Sequence, residues 1–261
     1  KQQKEAVLHT EGPLLILAGA GAGKTKTITE RIVHIIKEGT DPRNILAVTF
    51  TNKAAKEMRE RIIHRLEDEK VIEKENPYNP TPIIKTFHSL GLMLLSEHGD
   101  KVGLLKHPTI LDSSDSLSII KKAVEQLGLD PKINDPSKIR NIISREKGDF
   151  VSLKGYREKV VTSQMEIIHS VWRIYNEELK QQKAVDFDDL IIKAVEMLEN
   201  HTTIRNHYQE RFRYIHVDEY QDTNASQYSF IKLLINPNKN NICVVGDTDQ
   251  NIYSWRGANL R

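Results

Sequence analysis

The sequence has few of the features that mark secreted or membrane proteins. Cys243 is the single cysteine among 261 residues, so the chain cannot form an internal disulfide or a zinc site built on several cysteines. It contains no run of eighteen apolar residues and no signal-peptide pattern at its start, which argues against a membrane span or a secretion signal. We therefore expect a cytoplasmic protein without a membrane partner, in which Cys243 is structural.

An excess of charge of one sign is also absent. The 38 basic and 36 acidic residues leave a net charge of +2, so a nucleic-acid-binding surface would have to be local. The hydrophobic content of 38% is sufficient for one large domain or two smaller ones. Because the chain starts with Lys1 and ends at Arg261 inside a motif, we expect it to be cut at both ends.

Short apolar runs rich in branched residues recur along the chain, each followed by polar or glycine-bearing residues. This pattern is typical of a buried parallel sheet in an α/β fold. The runs are Leu14–Ala18, Ile45–Phe50, Ile83–Phe87, Tyr214–Val217 and Ile242–Val245.

A long interval with helical periodicity and no convincing strand separates the third run from the fourth. It is too long for a loop in a compact domain, so we predict an inserted all-helical subdomain at 96–183, within an α/β domain formed by 1–95 and 184–261. In 116–127 the helical spacing predicts one apolar face. That face would contain Leu117, Ile120, Ala123, Val124 and Leu127. Asp186 is positioned to cap the helix that follows the interval.

The segment after the first run has the spacing of a phosphate-binding loop that opens a helix. It reads Ala18-Gly19-Ala20-Gly21-Ala22-Gly23-Lys24-Thr25 and departs from the Walker A pattern only at Ala18, where glycine is usual. Small residues let backbone N–H groups surround phosphates, Lys24 would reach the β- and γ-phosphates, and Thr25 would ligate magnesium. A plain glycine-rich turn is the alternative interpretation.

Two acids end the fourth run, Asp218 and Glu219. Asp218 would hold magnesium and Glu219 would polarise the attacking water. On their own the two acids could simply cap a helix. Beside a phosphate loop they indicate a hydrolysis site.

The motifs in this order resemble superfamily 1A DNA helicases of the UvrD, Rep and PcrA type. The resemblance covers the whole chain apart from the predicted insertion. Its segments are Gln3–Val7 (adenine-reading glutamine motif), Thr49–Ala55 (motif Ia), Thr86–Ser89 (motif Ib), Asp186–Leu190 (return from the insertion), Asp218–Asp222 (motif II) and Gly246–Ala258 (motif III). The resemblance implies a RecA-like P-loop NTPase domain that uses ATP and Mg²⁺.

The resemblance also assigns roles to further residues on the nucleotide side. Gln3 would hydrogen-bond the adenine edge, Gln250 would sense the γ-phosphate, and Lys26 would lie near the sugar or phosphates. Solvated or turn positions are the alternatives for all three.

On the DNA side, Phe50, Tyr253 and Trp255 resemble positions on which single-strand bases stack, at roughly 1–3 kcal/mol per base. For Phe50, burial in the sheet competes with this role. The remaining DNA-binding candidates are residues suited to backbone phosphate contacts, although a structural role is the alternative for His88 and bracing of the motif is the alternative for Arg256. They are Thr51, Asn52, Lys53, Thr86, His88 and Arg256.

The family's activity implies partners that the chain does not itself contain. We expect single-stranded DNA, single-strand/duplex junctions and the missing C-terminal motor domain (2A/2B), with 3′→5′ translocation by the whole protein and little or no unwinding by this chain alone. A nuclease-linked helicase subunit, or a stand-alone nucleotide-binding regulatory module, would fit the same motifs. The predicted insertion of roughly 90 residues favours the superfamily 1A helicase over the nuclease-linked subunit, because insertions in the nuclease-linked family tend to be larger.

Overall fold

The structure is a computed structural model that describes residues 1–19, 21–105 and 108–247. The α-helices are α1 (Gln2–Leu8), α2 (Lys24–Lys37), α3 (Asn52–Asp68), α4 (Phe87–His98), α5 (Ser113–Gln126), α6 (Pro136–Gly148), α7 (Leu153–Glu158), α8 (Ser163–Gln181), α9 (Phe187–Asn200), α10 (Thr202–Arg211) and α11 (Ala225–Leu234). The strands are β1 (Leu14–Leu17), β2 (Ile45–Thr49), β3 (Ile83–Thr86), β4 (Thr109–Ile110), β5 (Ala184–Val185), β6 (Tyr214–Val217) and β7 (Ile242–Gly246).

One five-stranded parallel sheet has the order β1-β7-β6-β2-β3. Each predicted apolar run coincides with one of these strands to within one residue at its end, so the predicted α/β fold with a parallel sheet is confirmed. Every residue of β2 is buried, as expected for a strand covered on both faces. The edge strand β1 differs, because Leu15 and Leu17 are 58% and 61% exposed.

Helices α2 and α3 cover one face of this sheet. Ile28, Ile32 and Ile35 recur at helical spacing on α2 and are at most 1% exposed, and burial of each such side chain is worth about 1.5–3 kcal/mol. Helix α3 begins after Thr51, whose hydroxyl accepts a hydrogen bond from the Ala54 N–H at 3.1 Å. The sequence therefore sets where each helix begins and which side it buries.

A second core is formed by helices of the predicted insertion. Helix α5 begins with a capping box in which Asp112 and Asp115 each accept a backbone N–H from the other. Trp172 of α8 is 2% exposed and packs edge-on against Tyr156 of α7, with ring centroids 5.5 Å apart. The helical character of this interval therefore agrees with its periodicity.

Two details of that interval differ from the prediction. Leu127 is 36% exposed because α5 ends at Gln126 and Leu127 is the C-cap, while Ile119 is buried instead. The interval is also not all-helical, because β4 pairs in parallel with β5. Strands of two residues are too short to show an alternating pattern.

The described chain divides into two compact units. The first contains Lys1–Leu90, Leu198–Thr223 and 230–247, and the second contains Gly91–Met197 and Asn224–Ser229. Helix α9 therefore lies mostly in the second unit, whereas we place it in the α/β domain from sequence. The boundaries at 96 and 183 stay a prediction. Among the residues described, no helix combines the length and the apolar character needed to cross a membrane.

Candidate nucleotide and nucleic-acid site

The loop after β1 leads into α2 through two glycines in the left-handed backbone region. The Ala18 N–H donates to the Gly246 carbonyl at 3.1 Å, which joins the ends of β1 and β7. Gly21 and Gly23 have φ of 73° and 81°, a left-handed region that side chains disfavour. Gly23 is the N-cap of α2, so the free N–H groups of the first turn face this loop. Ala20 lies outside the described residues.

Lys24 and Thr25 of α2 meet two carboxylates through long contacts. The Lys24 ammonium is 3.4 Å from Asp247 Oδ2, and the Thr25 hydroxyl donates to Asp218 Oδ2 at 3.3 Å. Both distances exceed the usual range for such donors. The four side chains are thus gathered at one edge of the sheet without being tightly bonded to one another.

Asp218 and Glu219 follow β6 directly. Asp218 is 4% exposed, and burial, helped by the charge of Glu219, raises the pKa of Asp218 to about 6, although the Glu219 N–H, the Thr25 hydroxyl and Lys24 act to lower it. Glu219 has φ 51° and ψ 44°, which is uncommon for a residue other than glycine. Among the residues that the structure describes, none therefore gives the buried Asp218 carboxylate a close counter-charge.

The donor set fits a magnesium ion. The Thr25 hydroxyl and the Asp218 carboxylate are adjacent oxygen ligands, and Mg²⁺ in proteins usually takes one or two protein oxygens together with substrate phosphates. A cation between these groups would supply the charge that Asp218 lacks.

Gln221 and Asp247 are residues at this site that the sequence interpretation placed within motifs II and III without giving them a role. The Gln221 amide donates to Glu219 Oε2 at 2.7 Å and accepts the Asp247 N–H at 3.0 Å. Gln221 is 3% exposed and Asp247 is also buried. The position of Asp247 at the end of a buried strand was a usable signal, whereas nothing in the local pattern around Gln221 indicated its contacts.

Gln3 contacts the loop after β1, and its role in binding adenine stays a prediction. Its side-chain amide donates to the Ala22 carbonyl at 2.7 Å, and the Ala22 N–H donates to the Gly19 carbonyl at 3.2 Å. Gln3 is itself exposed, and so is Lys26 on the first turn of α2. Both residues are thus placed where a nucleotide on the loop could reach them.

Arg31 anchors the segment that carries Gln3. It is 1% exposed, and its guanidinium donates to the backbone carbonyls of Ala6 (3.0 Å), His9 and Thr10 (3.1 Å). Burial lowers the pKa of Arg31 from its usual value. Three carbonyl contacts from one buried side chain hold the end of α1 against α2, a feature that the sequence alone did not reveal.

The first DNA-binding candidates follow β2. Phe50 is partly buried and packs edge-on against Phe87, with centroids 5.3 Å apart. Thr51, Asn52 and Lys53 are exposed at the start of α3, although the Thr51 hydroxyl is already the helix cap. The exposure of this helix start suits a backbone phosphate, and the assigned roles stay predictions.

The next candidates follow β3. Thr86 is 6% exposed, and its hydroxyl exchanges hydrogen bonds with Ser89, including a Thr86 Oγ1 to Ser89 Oγ contact of 3.0 Å. His88 is partly buried. Thr86 thus also stabilises the start of α4. The remaining predicted site residues lie outside the described residues, namely Gln250, Tyr253, Trp255 and Arg256.

All described candidates lie at or beside the carboxyl ends of parallel strands or, like Gln3, against the loop there. Ends of parallel strands meet at one edge of a sheet, which is where open α/β sheets bind ligands. The nucleotide candidates follow β1 and β6, and the nucleic-acid candidates follow β2 and β3. The sheet order therefore places the two groups side by side within the first unit.

Comparison with known proteins yields a match over the full chain. Residues 1–261 match the family described as "UvrD/REP helicase N-terminal domain". The motif resemblance is thereby confirmed.

Among curated proteins, the chain is similar to several named "ATP-dependent DNA helicase PcrA". It is 42% identical over 260 residues to that of Leuconostoc citreum, covering 99% of this chain and 34% of that protein. The identity is 41% over 262 residues for Staphylococcus epidermidis and 40% over 261 residues for Staphylococcus aureus, each covering 100% of this chain and 34% of the relative. The chain thus spans about a third of the length of these relatives.

Proposed function

Because this chain belongs to the UvrD/REP helicase N-terminal domain family, we propose that it is the ATP-binding half of a DNA helicase motor. The observation that carries the proposal is the convergence of Lys24, Thr25, Asp218 and Glu219 beside a glycine loop at the start of α2. No single one of these residues defines the site, but together they supply what Mg²⁺-dependent ATP hydrolysis requires of a P-loop domain.

The nucleotide roles follow from these positions. Loop N–H groups and Lys24 would bind the phosphates, and Thr25 and Asp218 would hold the metal. Bound magnesium would neutralise charge on the β- and γ-phosphates. Glu219 accepts a hydrogen bond from the attacking water and orients it, and Gln3 hydrogen-bonds the adenine edge, since an amide offers both a donor and an acceptor.

The DNA roles use the neighbouring strand ends. The start of α3 at Asn52 and Lys53 contacts the backbone of single-stranded DNA, and Phe50 offers an aromatic surface beside it. Movement in the 3′→5′ direction and recognition of single-strand/duplex junctions are parts of the proposal that rest on the family resemblance.

A second motor domain completes the proposed motor. In such motors arginines from a partner domain contact the transferring phosphate, and one contact of that kind is worth factors of about 10³–10⁵ in rate. We therefore propose that this chain by itself binds ATP, hydrolyses it slowly and does not unwind duplex DNA.

Binding of a fluorescent ATP analogue with Mg²⁺, with and without oligo-dT, tests the proposal. Lys24→Ala should abolish nucleotide binding, whereas Lys37→Ala at the exposed end of α2 should not. Tyr253→Ala combined with Trp255→Ala should weaken oligo-dT binding alone. Nucleotide binding that survives Lys24→Ala would refute the site assignment, and robust unwinding by the chain alone would refute the need for a second domain.

A further inference from the structure

The backbone position of Glu219 does not by itself determine the rotamer of its side chain. Glu219 lies two residues after Val217, the last residue of β6. Its backbone is in the left-handed region, with φ 51°, and the residue is only partly buried. A long carboxylate side chain there has several rotamers. If Glu219 is to orient a water molecule, another group has to select one of them.

Gln221 contacts the Glu219 carboxylate and is buried. Its Nε2 donates to Glu219 Oε2 at 2.7 Å, and its Oε1 accepts the backbone N–H of Asp247 at 3.0 Å. The backbone N–H can only donate, so the oxygen of the amide must face Asp247 and the nitrogen must face Glu219. The orientation of the amide is thus determined by its partners.

Gly246 makes room for this amide. A Cβ at position 246 would lie 2.9 Å from Gln221 Oε1 and 3.4 Å from the Gln221 backbone nitrogen. Gly246 does not have a positive φ, so it is the space, and not an unusual backbone conformation, that favours glycine. The end of β7 is therefore shaped around the Gln221 side chain.

The same contacts continue to the phosphate loop. The carboxylate of Asp247 lies 3.4 Å from the Lys24 ammonium. A line of polar contacts thus runs from Glu219 through Gln221 and Asp247 to Lys24, and it joins the ends of β6 and β7 to the start of α2.

We propose that Gln221 is a positioning residue that holds the Glu219 carboxylate in the orientation needed for hydrolysis and ties it to the end of β7. This inference rests on the proposed function, in which Glu219 orients the attacking water. Gln221 itself does not touch the nucleotide. Its effect is on the geometry of Glu219, where a misplacement of about 1 Å costs on the order of 10²-fold in rate.

Steady-state ATP hydrolysis with saturating oligo-dT, measured on the full-length protein that carries this chain, tests the inference. Gln221→Glu keeps an acceptor for the Asp247 N–H but replaces the donor facing Glu219 by a like charge. We expect kcat to fall about 10- to 100-fold while the Kd for a fluorescent ATP analogue changes by less than about 2-fold. An unchanged kcat, or equal losses in kcat and affinity, would overturn the inference.

A double-mutant cycle separates positioning from a loss of folding. Gly246→Ala should lower kcat in the parent, because its Cβ displaces the amide, but should have little further effect in a Gln221→Ala background. Additive losses would show that the two positions act independently and would contradict the inference. Gln209→Met is the matched control. The Gln209 amide lies outside the site and donates to the Leu233 carbonyl at 2.9 Å, so the kcat of this variant should equal that of the parent.

Lys24→Ala in the same protein distinguishes the failure of this inference from the failure of the proposed function. If Lys24→Ala abolishes nucleotide binding but Gln221→Glu hydrolyses ATP like the parent, only the role of Gln221 is wrong. If Lys24→Ala still binds nucleotide, the proposed function fails and the inference fails with it.

Discussion

Two buried aspartates, one in each unit, show opposite electrostatic behaviour. Burial acts to raise the pKa of Asp186 in the helical unit, but the Lys147 ammonium at 2.7 Å, together with hydrogen bonds from the Asp189 N–H and the Tyr175 hydroxyl, outweighs burial and lowers that pKa below its usual value. Burial raises the pKa of Asp218 in the α/β unit to about 6, and its hydrogen bonds there come from two neutral donors, the Glu219 N–H at 3.0 Å and the Thr25 hydroxyl at 3.3 Å. Within the described part of the chain, Asp186 has a close counter-charge and Asp218 does not.

This difference distinguishes buried charged side chains that stabilise the fold from those that are available to bind a ligand. Lys147 contacts both oxygens of Asp186 and one of Asp189 at 2.7–2.8 Å, and the Tyr175 hydroxyl donates to Asp186 at 2.9 Å. Lys24, by contrast, contacts the Asp247 carboxylate at 3.4 Å. A buried charge whose hydrogen bonds are short stabilises the fold, whereas one with long contacts can exchange them for phosphate or metal.

Replacement of Lys147 should have the largest effect. Lys147→Met leaves Asp186 and Asp189 buried without their cation, and we expect a loss of about 3–5 kcal/mol in the free energy of unfolding. Urea unfolding measures this loss. Lys154→Met, at an exposed position of the same unit, should change stability by less than about 0.5 kcal/mol. Similar stability of the two variants would break the comparison.

The same substitution at the two aspartates tests the contrast directly. Asp186→Asn should lower the free energy of unfolding by about 1.5–3 kcal/mol, because it removes a charged hydrogen-bond partner of Lys147. Asp218→Asn should not lower the stability of the nucleotide-free chain, since burial already disfavours its charged form, but it should weaken Mg²⁺-dependent nucleotide binding. A larger stability loss at Asp218 than at Asp186 would contradict our interpretation.

Arg31 sharpens the comparison, because it is a structural cation within the nucleotide-binding unit. Arg31→Met leaves the carbonyls of Ala6 and Thr10 without their donor, and we expect a loss of about 1–2 kcal/mol. Residues 1–10 should also exchange their amide hydrogens faster, and adenine nucleotides should bind more weakly through Gln3. Unchanged hydrogen exchange in that segment would show that Arg31 does not anchor it.

His216 has the smallest expected effect at neutral pH, because it acts only through a pH dependence of stability. Burial in β6, followed by the charge of Arg31, lowers the pKa of His216 to about 3 from 6.5. The unfolded chain therefore binds a proton that the folded chain does not, so stability is complete above about pH 6.5 and is lost as the pH falls towards 3. The slope approaches about 1.4 kcal/mol per pH unit.

Unfolding at pH 7.5 and at pH 5 measures this contribution. His216→Leu should show a smaller loss of stability between the two pH values than the parent. His64→Gln, at an exposed position of α3 with 77% of its side chain accessible, should behave like the parent. An equal pH dependence in His216→Leu and the parent would show that a group other than His216 causes the loss of stability.

Much of the fold could be predicted from local pattern. The strands of the large sheet agree with the apolar runs because buried parallel strands consist of near-continuous branched residues. The predicted cap is also confirmed, since the Asp189 N–H donates to Asp186 Oδ1 at 2.9 Å. The pairing of β4 with β5 was missed, because two residues carry no periodicity. Leu127 was misplaced, because helical spacing does not reveal where a helix ends.

The sequence by itself determined the family, the α/β fold and the residues of the phosphate loop, because spacing along one chain segment is enough to form a glycine loop, a helix start or a strand end. Tertiary structure alone decided which distant groups became partners. Lys147 with Asp186, Arg31 with the end of α1, and Gln221 with Glu219 and Asp247 depend on how buried elements pack. The physical reason is that a buried polar group must find its hydrogen bonds wherever packing brings a partner, and no local periodicity records that choice.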